Sequence, residues 1–354
     1  MEKKEVQKKI LEKAKNNNAT EEEFVSILRS VAPGTHLRSS LDGTLRTGKG
    51  ALIIVENENT FDIFDGGFWL NTRFTPQKLV ELSKMDGAII LSKDMKRISY
   101  ANVLLTPSSK ISTNETGTRH KAAERSAKQA GTLTIAISER RNEITIYYKN
   151  LKYPLVPTGD LLRKANENIQ LLEKQRAIFD KQVEKLDTLE LLGSSNLRQT
   201  INVIQKGRII VKLADDLSRY LIELGKEGTL LRMRLKEITI GVEKETDLVV
   251  KDYTQLDLKR SKNLLHNLSY DSVLDEESIA KILGYEGTIT TQEIKGWRIL
   301  SRTCLSDSEI ASLIKEKATL VEVLDLKQNT FVNLFGEEKA RTLKGELDKI
   351  STSV

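Results

Sequence analysis

The sequence predicts an α+β N-terminal domain, a mixed sheet flanked by helices, followed by an all-α linker bundle and an all-α terminal domain. Three observations carry this prediction. Short β-type apolar runs (Ala51–Val55, Thr60–Phe64, Gly87–Leu91 and Arg97–Leu105) are mixed with helical segments up to about residue 150. At Tyr153–Gly159 the texture changes: Pro154 and Pro157 fall close together and β-branched alternation stops. From Asp160 to about Leu192, Leu161, Ile169, Leu172, Phe179, Val183 and Leu186 then mark one apolar helix face. A helix of about 30 residues suits a spine or bundle better than an ordinary globular helix. The expected domains are 1–150, 151–270 and 271–354.

Each element has its own local reason. Residues 1–31 carry Val6, Ile10, Phe24, Ile27 and Leu28 at helical spacing, and Pro33-Gly34 breaks that helix. A helix is expected over Thr75–Met85, with Thr75 as N-cap and Pro76 at its first position. A second inserted helix covers roughly Thr118–Gly131. Two β-rich runs, Thr132–Ser138 and Glu143–Tyr148, read as a hairpin turning at Glu139–Asn142. Gly193-Ser194-Ser195 ends the long helix, more helices follow to about Tyr270, and 275–354 reads as short helices with tight turns.

Composition narrows the function classes. Apolar residues at 39% and charged residues at 30% are ordinary for a folded chain. The net charge of +6 permits a polyanionic partner, and lysine-rich solvated helix faces would produce the same number. One cysteine, Cys304, allows no intramolecular disulfide, and the scattered His36, His120 and His266 form no zinc pattern. The first residues, MEKKEVQKKI, place charges where a signal peptide needs an apolar core, and no apolar run approaches the ~20 residues that span a bilayer. The expected location is cytoplasmic, with no membrane partner.

Four short motifs bear on chemistry. The run Gly43–Gly50 nearly matches a P-loop, but its final residue is Gly50 instead of serine or threonine, and it precedes a strand instead of opening a helix. Asp86-Gly87-Ala88 lies where a helix meets a strand. Such a triplet is often only a turn, yet a carboxylate there can hold a hard cation, and a bare glycine admits a nucleotide to the backbone. In Glu115-Thr116-Gly117-Thr118-Arg119-His120-Lys121-Ala122-Ala123-Glu124, a helix opens with free N–H groups beside three potential donors, which suits phosphate. Ser138-Glu139-Arg140-Arg141-Asn142 is a basic hairpin tip. Each has a bland reading alone, as a turn, a capped basic helix start or a solvated loop. The last three, together in one sheet domain, suit phosphoryl chemistry.

With these residues in view, 32–150 resembles a diadenylate cyclase domain, and the whole chain resembles the DisA family of DNA integrity scanning proteins. The matching text includes Gly67–Phe74, Thr75-Pro76-Gln77, Lys84–Ala88, Tyr100–Val103, Thr116–His120 and Ile135–Ser138. The family's DGA motif is intact. Its RHR motif reads Arg119-His120-Lys121, which keeps charge but loses bidentate geometry, and Ala122 replaces a frequent threonine. The resemblance implies condensation of two ATP into cyclic di-AMP and two pyrophosphates across two facing subunits, with Mg²⁺ or Mn²⁺. It assigns Asp86, Arg119 and His120 as catalytic and Asp86 as metal ligand. Gly87, Ala88, Leu105, Thr118, Lys121, Ala122, Ser138 and Arg141 join them in binding the nucleotide.

The tail resembles a helix-hairpin-helix module, in which hairpin amides bind DNA phosphates without reading sequence. The resemblance points to Gly336, Lys339 and Arg341 as DNA contacts, with Leu334 where a second family glycine would stand. Its implied partners are branched DNA, which would modulate synthesis, and further copies of the chain, as an octamer. The alternative is a DNA-binding structural protein whose nucleotide pocket only senses ATP.

Overall fold

The computed structural model describes residues 18–194, 196–285, 294–317 and 319–352, so the expected helical residues Val6 and Ile10 and the helix-ending Ser195 lie outside the described residues. The chain divides into two compact units. One comprises Met1–Lys164 and Arg219–Leu230, the other Ala165–Ser218 and Leu231–Val354.

The first unit opens with α1 (Glu21–Ser30). The Thr20 hydroxyl accepts from the Glu23 amide, and the Glu23 carboxylate accepts from the Thr20 amide, a reciprocal cap. After Pro33-Gly34 comes α2 (His36–Arg46), capped by Thr35, a helix absent from the sequence reading. Leu37 and Leu41, one turn apart, bury its inner face, while Arg38 inside the fold pairs with Asp42 at 3.0 Å. Gly43 sits within α2, so the P-loop-like run leaves a helix and enters a strand, the reverse of a phosphate loop.

The sheet contains β1 (Ala51–Val55), β2 (Phe64–Asp65), β3 (Phe68–Arg73), β4 (Ala88–Leu91), β5 (Arg97–Leu105), β6 (Thr134–Ser138), β7 (Glu143–Tyr148) and β8 (Leu151–Leu155). Their order is β2-β5-β4-β1-β6-β7-β8, with β3 also on β5. Only β1–β4 is parallel; the other pairings are antiparallel. The central strands are buried on both faces. Ile53, Val55, Ile89 and Leu91 enter one core with Leu37 and Leu41 of α2. Leu52, Ile54, Ala88 and Ile90 enter the other, against Ala123 and Ala127 of α4 (Thr118–Ala130). Alternation thus puts apolar residues on both sides, which is why these strands read as unbroken apolar runs.

Three expectations change. Thr60–Phe64 is not a strand: residues 61–63 form a 3-10 turn, because buried Thr60 exchanges hydrogen bonds with Asn57 and bends the chain. The sheet continues past residue 150 into β8, where Pro154 lies opposite Thr145. Proline is tolerated there because β8 is an edge strand. β3 escaped the sequence reading because none of its residues is fully buried: Phe68 and Trp69 are largely exposed and Leu70 packs only partly against the core. The inserted helix is α3 (Pro76–Leu82), with Thr75 as its N-cap. Gly131, in the left-handed region, ends α4.

The long helices are α5 (Thr158–Leu191) and α6 (Leu197–Glu223), followed by α7 (Thr229–Thr239) and α8 (Val242–Tyr253). Further short helices follow, with α12 at Trp297–Leu300 and the last pair, α15 (Gln328–Phe335) and α16 (Glu337–Thr352), joined at Gly336. In the second unit, Ile299, Leu313, Val323, Phe331 and Leu343 share one core. Beside it lies a buried ionic cluster. Fully buried Arg298 pairs with Asp187, with Glu190 at 2.5 Å and with Glu245 at 2.9 Å. Tyr253 donates its hydroxyl proton to Glu190. The Asp252 carboxylate accepts the amides of Trp297 and Arg298 at 2.7 and 2.8 Å and so caps α12, while burial pushes its carboxyl up to about 7. Residues from either side of position 270 therefore share one charge network, in which each partner compensates the desolvation of the other. Among the described residues, no helix is long and apolar enough to cross a membrane.

Candidate active site

The sheet and α4 meet over a cavity of about 880 Å³, within the range of small-molecule sites. Its floor is the start of β4. Gly87 has φ +84, and a Cβ there would stand 2.8–2.9 Å from the backbone of Asn102 and Val103, so only glycine lets β4 and β5 approach this closely. Ala88 and Leu105 are buried beside it, and Leu105 and Leu104 form part of the apolar wall.

The opposite wall is the N-terminus of α4. Gly117 precedes it with φ +84 and offers no side-chain cap, and the first turn carries no acidic residue. The first intrahelical bond comes from the Lys121 amide to the Gly117 carbonyl. The amides of Thr118, Arg119 and His120 are therefore left for a ligand, at the positive end of the helix dipole. Small residues explain how the helix settles on the sheet: Ala123, Ala127 and Ala130 face Leu52, Ile54 and Ala136. The preceding loop is tied down by α4 itself, through Gln129 to the Ser108 amide, Arg125 to the Ile111 carbonyl and Lys128 to the Ser112 carbonyl.

The third wall is the β6–β7 turn. Ser138 accepts the Arg141 amide at 3.2 Å, and the Arg141 guanidinium donates to the Thr116 hydroxyl at 3.3 Å, drawing the basic turn over the cavity. Gly87, Ala88, Leu105, Thr118, Arg119, His120, Ala122, Ser138 and Arg141 all line this one space. Asp86 and Lys121 do not. Asp86 is the exposed residue just before Gly87, and no hydrogen bond or ion pair among the described residues engages its carboxylate. Lys121 is exposed on α4 outside the lining.

Among the described residues, no group of three or more His, Cys, Asp or Glu side chains could hold a metal ion. Asp86 is a single oxygen donor, which fits a hard cation that keeps most of its ligands on a triphosphate and in water.

Two features were not legible as site residues in the sequence. Gly50, set aside with the P-loop-like run, lies beneath Arg119: a Cβ at Gly50 would stand 1.9 Å from Arg119 Nη1 and 3.0 Å from the Ile137 carbonyl oxygen. Behind His120 runs a buried chain. His120 Nδ1 is 2.9 Å from the Tyr147 hydroxyl, which donates to Glu115 Oε1 at 2.9 Å, and Lys152 Nζ lies 2.5 Å from that same oxygen. Burial works against the Glu115 charge, but hydrogen bonds from Lys152 and Tyr147 hold its carboxyl below the ordinary range. Burial lowers the His120 imidazole from its ordinary value, against the pull of Glu115.

In the tail, Gly336 has φ +84 and alone connects α15 to α16. Leu334 is in the last turn of α15 and is partly exposed. Arg341 is exposed, whereas Lys339 is tied to Glu309 at 2.7 Å, and Glu337 and Glu338 occupy the first turn of α16.

Comparison with known proteins agrees with this layout. Residues 38–151 match the family described as DisA bacterial checkpoint controller nucleotide-binding, and 155–292 match the DisA bacterial checkpoint controller linker region. The chain is 38% identical over 351 residues to the DNA integrity scanning protein DisA of Bacillus subtilis, covering 96% of this chain and 97% of that protein. It is 37% identical over 343 residues to the Clostridium kluyveri protein of the same name, covering 94% and 97%. The Acetivibrio thermocellus protein, again of that name, is 37% identical over 345 residues, covering 94% and 96%. Sheet, cavity and near full-length similarity converge: the chain belongs to the DisA family of diadenylate cyclases.

Proposed function

We propose that this chain condenses two ATP into cyclic di-AMP and two pyrophosphates. The observation that carries the reading is the convergence, in one cavity, of Gly87-Ala88, the free amides of the α4 N-terminus, Arg119 and the Ser138–Arg141 turn. The adenosine packs between Leu105 and the Gly87 backbone, and the triphosphate lies along the α4 amides, Arg119, Ser138 and Arg141. Asp86, exposed next to Gly87, would hold the Mg²⁺ or Mn²⁺ that accompanies a triphosphate. Such a cation would supply neutralisation of phosphate charge and a lowered pKa for the attacking hydroxyl.

The chemistry needs two sites. The 3′-oxygen of each ATP forms a bond to the α-phosphorus of the other and gives up its proton to solvent, the α–β bridging bond of each breaks, and pyrophosphate leaves with those electrons. One cavity cannot present both ends of the product, so two copies must face each other. Phe61, Phe68, Trp69 and Leu104 are exposed in the cyclase unit and are available to a second copy. The assembly is an octamer, located in the cytoplasm. Branched DNA binds the tail near Gly336 and Arg341 and modulates synthesis.

Mass spectrometry of the products after incubation with ATP and Mg²⁺ or Mn²⁺ tests the reading. Cyclic di-AMP is the expected product; ATP recovered unchanged, although bound, would leave a nucleotide sensor instead. Light scattering tests the assembly, with eight subunits expected and an active monomer at all concentrations contradicting it.

A further inference from the structure

His120 is one of the residues that the phosphate reading uses, yet its nitrogens are not equivalent. A carboxylate can only accept hydrogen bonds, so the single phenolic proton of Tyr147 points to Glu115 Oε1. The Tyr147 oxygen must then accept from His120, which places the ring proton on Nδ1. Nε2 is left as a bare lone pair, buried and without a protein partner among the described residues, on a side chain that lines the cavity. In that state it cannot donate to a phosphate; it can only accept a proton.

We propose that Tyr147 and Glu115 are positioning residues, which hold His120 as the Nδ1–H tautomer and stabilise the imidazolium that it becomes when Nε2 meets the nucleotide phosphates. The proposal deepens the ATP-site reading and rests on it. The proton comes from solvent as the nucleotide binds, and Nε2–H then donates to a phosphate oxygen. On the far side, Nδ1–H, the Tyr147 hydroxyl and the Glu115 carboxylate form a chain that ends on a negative charge, the logic by which a buried carboxylate supports a histidine cation.

The surroundings explain why the cation waits for the ligand. Burial opposes it most, Glu115 and Glu143 favour it, Arg141 and Arg119 oppose it, and Lys152 offsets part of the Glu115 charge. A triphosphate that neutralises Arg119 and Arg141 removes the opposing charges and adds its own attraction. Glu115, Tyr147 and Lys152 come from the loop before α4, from β7 and from β8. Three separate segments thus converge behind one ring nitrogen, and Glu115 and Tyr147 are both buried.

The test is titration calorimetry of 3′-deoxy-ATP with Mg²⁺ into the full-length protein at pH 7.5. The analogue lacks the attacking hydroxyl, and two buffers of different ionisation enthalpy report proton uptake. The wild type should take up to about one proton per site. Tyr147→Phe, which keeps the ring packing, and Glu115→Gln, which keeps the shape, should each take up markedly less and bind about tenfold more weakly. His120→Asn should abolish the uptake. Wild-type binding without uptake, or undiminished uptake in both relay variants, would overturn the relay and leave the ATP site standing. Failure of the wild type to bind the analogue at all would overturn both.

Discussion

Arg119 owes its place to the absence of a side chain beneath it. In Gly50→Ala the new Cβ would stand 1.9 Å from Nη1 and 2.7 Å from Cζ, where ordinary contact begins at 3.4 Å. The guanidinium must retreat by about 1.5 Å, and displacement on that scale is enough to spoil a catalytic contact. The backbone should accept the change: Gly50 is not among the glycines with positive φ, and the Ile137 carbonyl oxygen, 3.0 Å from the new methyl, needs to yield only slightly. A hydrogen bond to a charged group contributes about 1.5–3 kcal/mol. Losing the proposed Arg119 contact to a phosphate should therefore lower kcat/KM for ATP by roughly 10- to 150-fold. The assay is cyclic di-AMP production across ATP concentrations for Gly50→Ala, Arg119→Ala and the double variant, with thermal melts alongside. The double variant should be no worse than Arg119→Ala, because Gly50 acts through Arg119 alone. Full activity in Gly50→Ala, or losses that multiply in the double variant, would refute this account.

Four further expectations can be checked directly. Asp86→Asn should abolish synthesis without moving the melting temperature, since the exposed carboxylate has no protein partner to lose; synthesis near the wild-type rate would remove Asp86 from metal binding. Arg298→Met should destabilise the second unit by about 3–5 kcal/mol in denaturant unfolding, because it strands Glu190 and its neighbours as uncompensated buried carboxylates, and a near-neutral result would mean they simply take up protons. Burial raises Asp252, so it binds its proton more tightly folded than unfolded; its contribution is present at low pH and is lost as pH rises through the folded value of about 7. Unfolding followed from about pH 5 to pH 7 should show that downward contribution in the wild type and a flatter profile in Asp252→Asn. In the tail, gel shifts with branched DNA should weaken in Arg341→Ala and as salt rises, while Lys339→Ala changes little because Lys339 is already held by Glu309.

What could be read from the sequence was what a few neighbouring residues decide. Ala51–Val55, Arg97–Leu105 and Glu143–Tyr148 stand as strands where the β-type runs placed them, because side-chain alternation and β-branching act within one strand. The Gly117-Thr118 helix start and the long amphipathic helix stand for similar reasons of local capping and period. The identities of the cavity residues were legible through motifs that lie on separate segments. Tertiary structure decided the rest. Pro154 could join a strand only because β8 is at the sheet edge, and β3 left no clear apolar pattern because it is only half-buried, with Leu70 turned to the core and Phe68 and Trp69 exposed. Thr60 turned the chain through a buried exchange with Asn57 that no periodicity records. Gly50 beneath Arg119, and Glu115, Tyr147 and Lys152 behind His120, meet because strand order brings distant segments together. Local propensity sets which elements form. The cost of burying a polar group without a partner sets which distant side chains must find one another, and only the packed fold supplies those pairings.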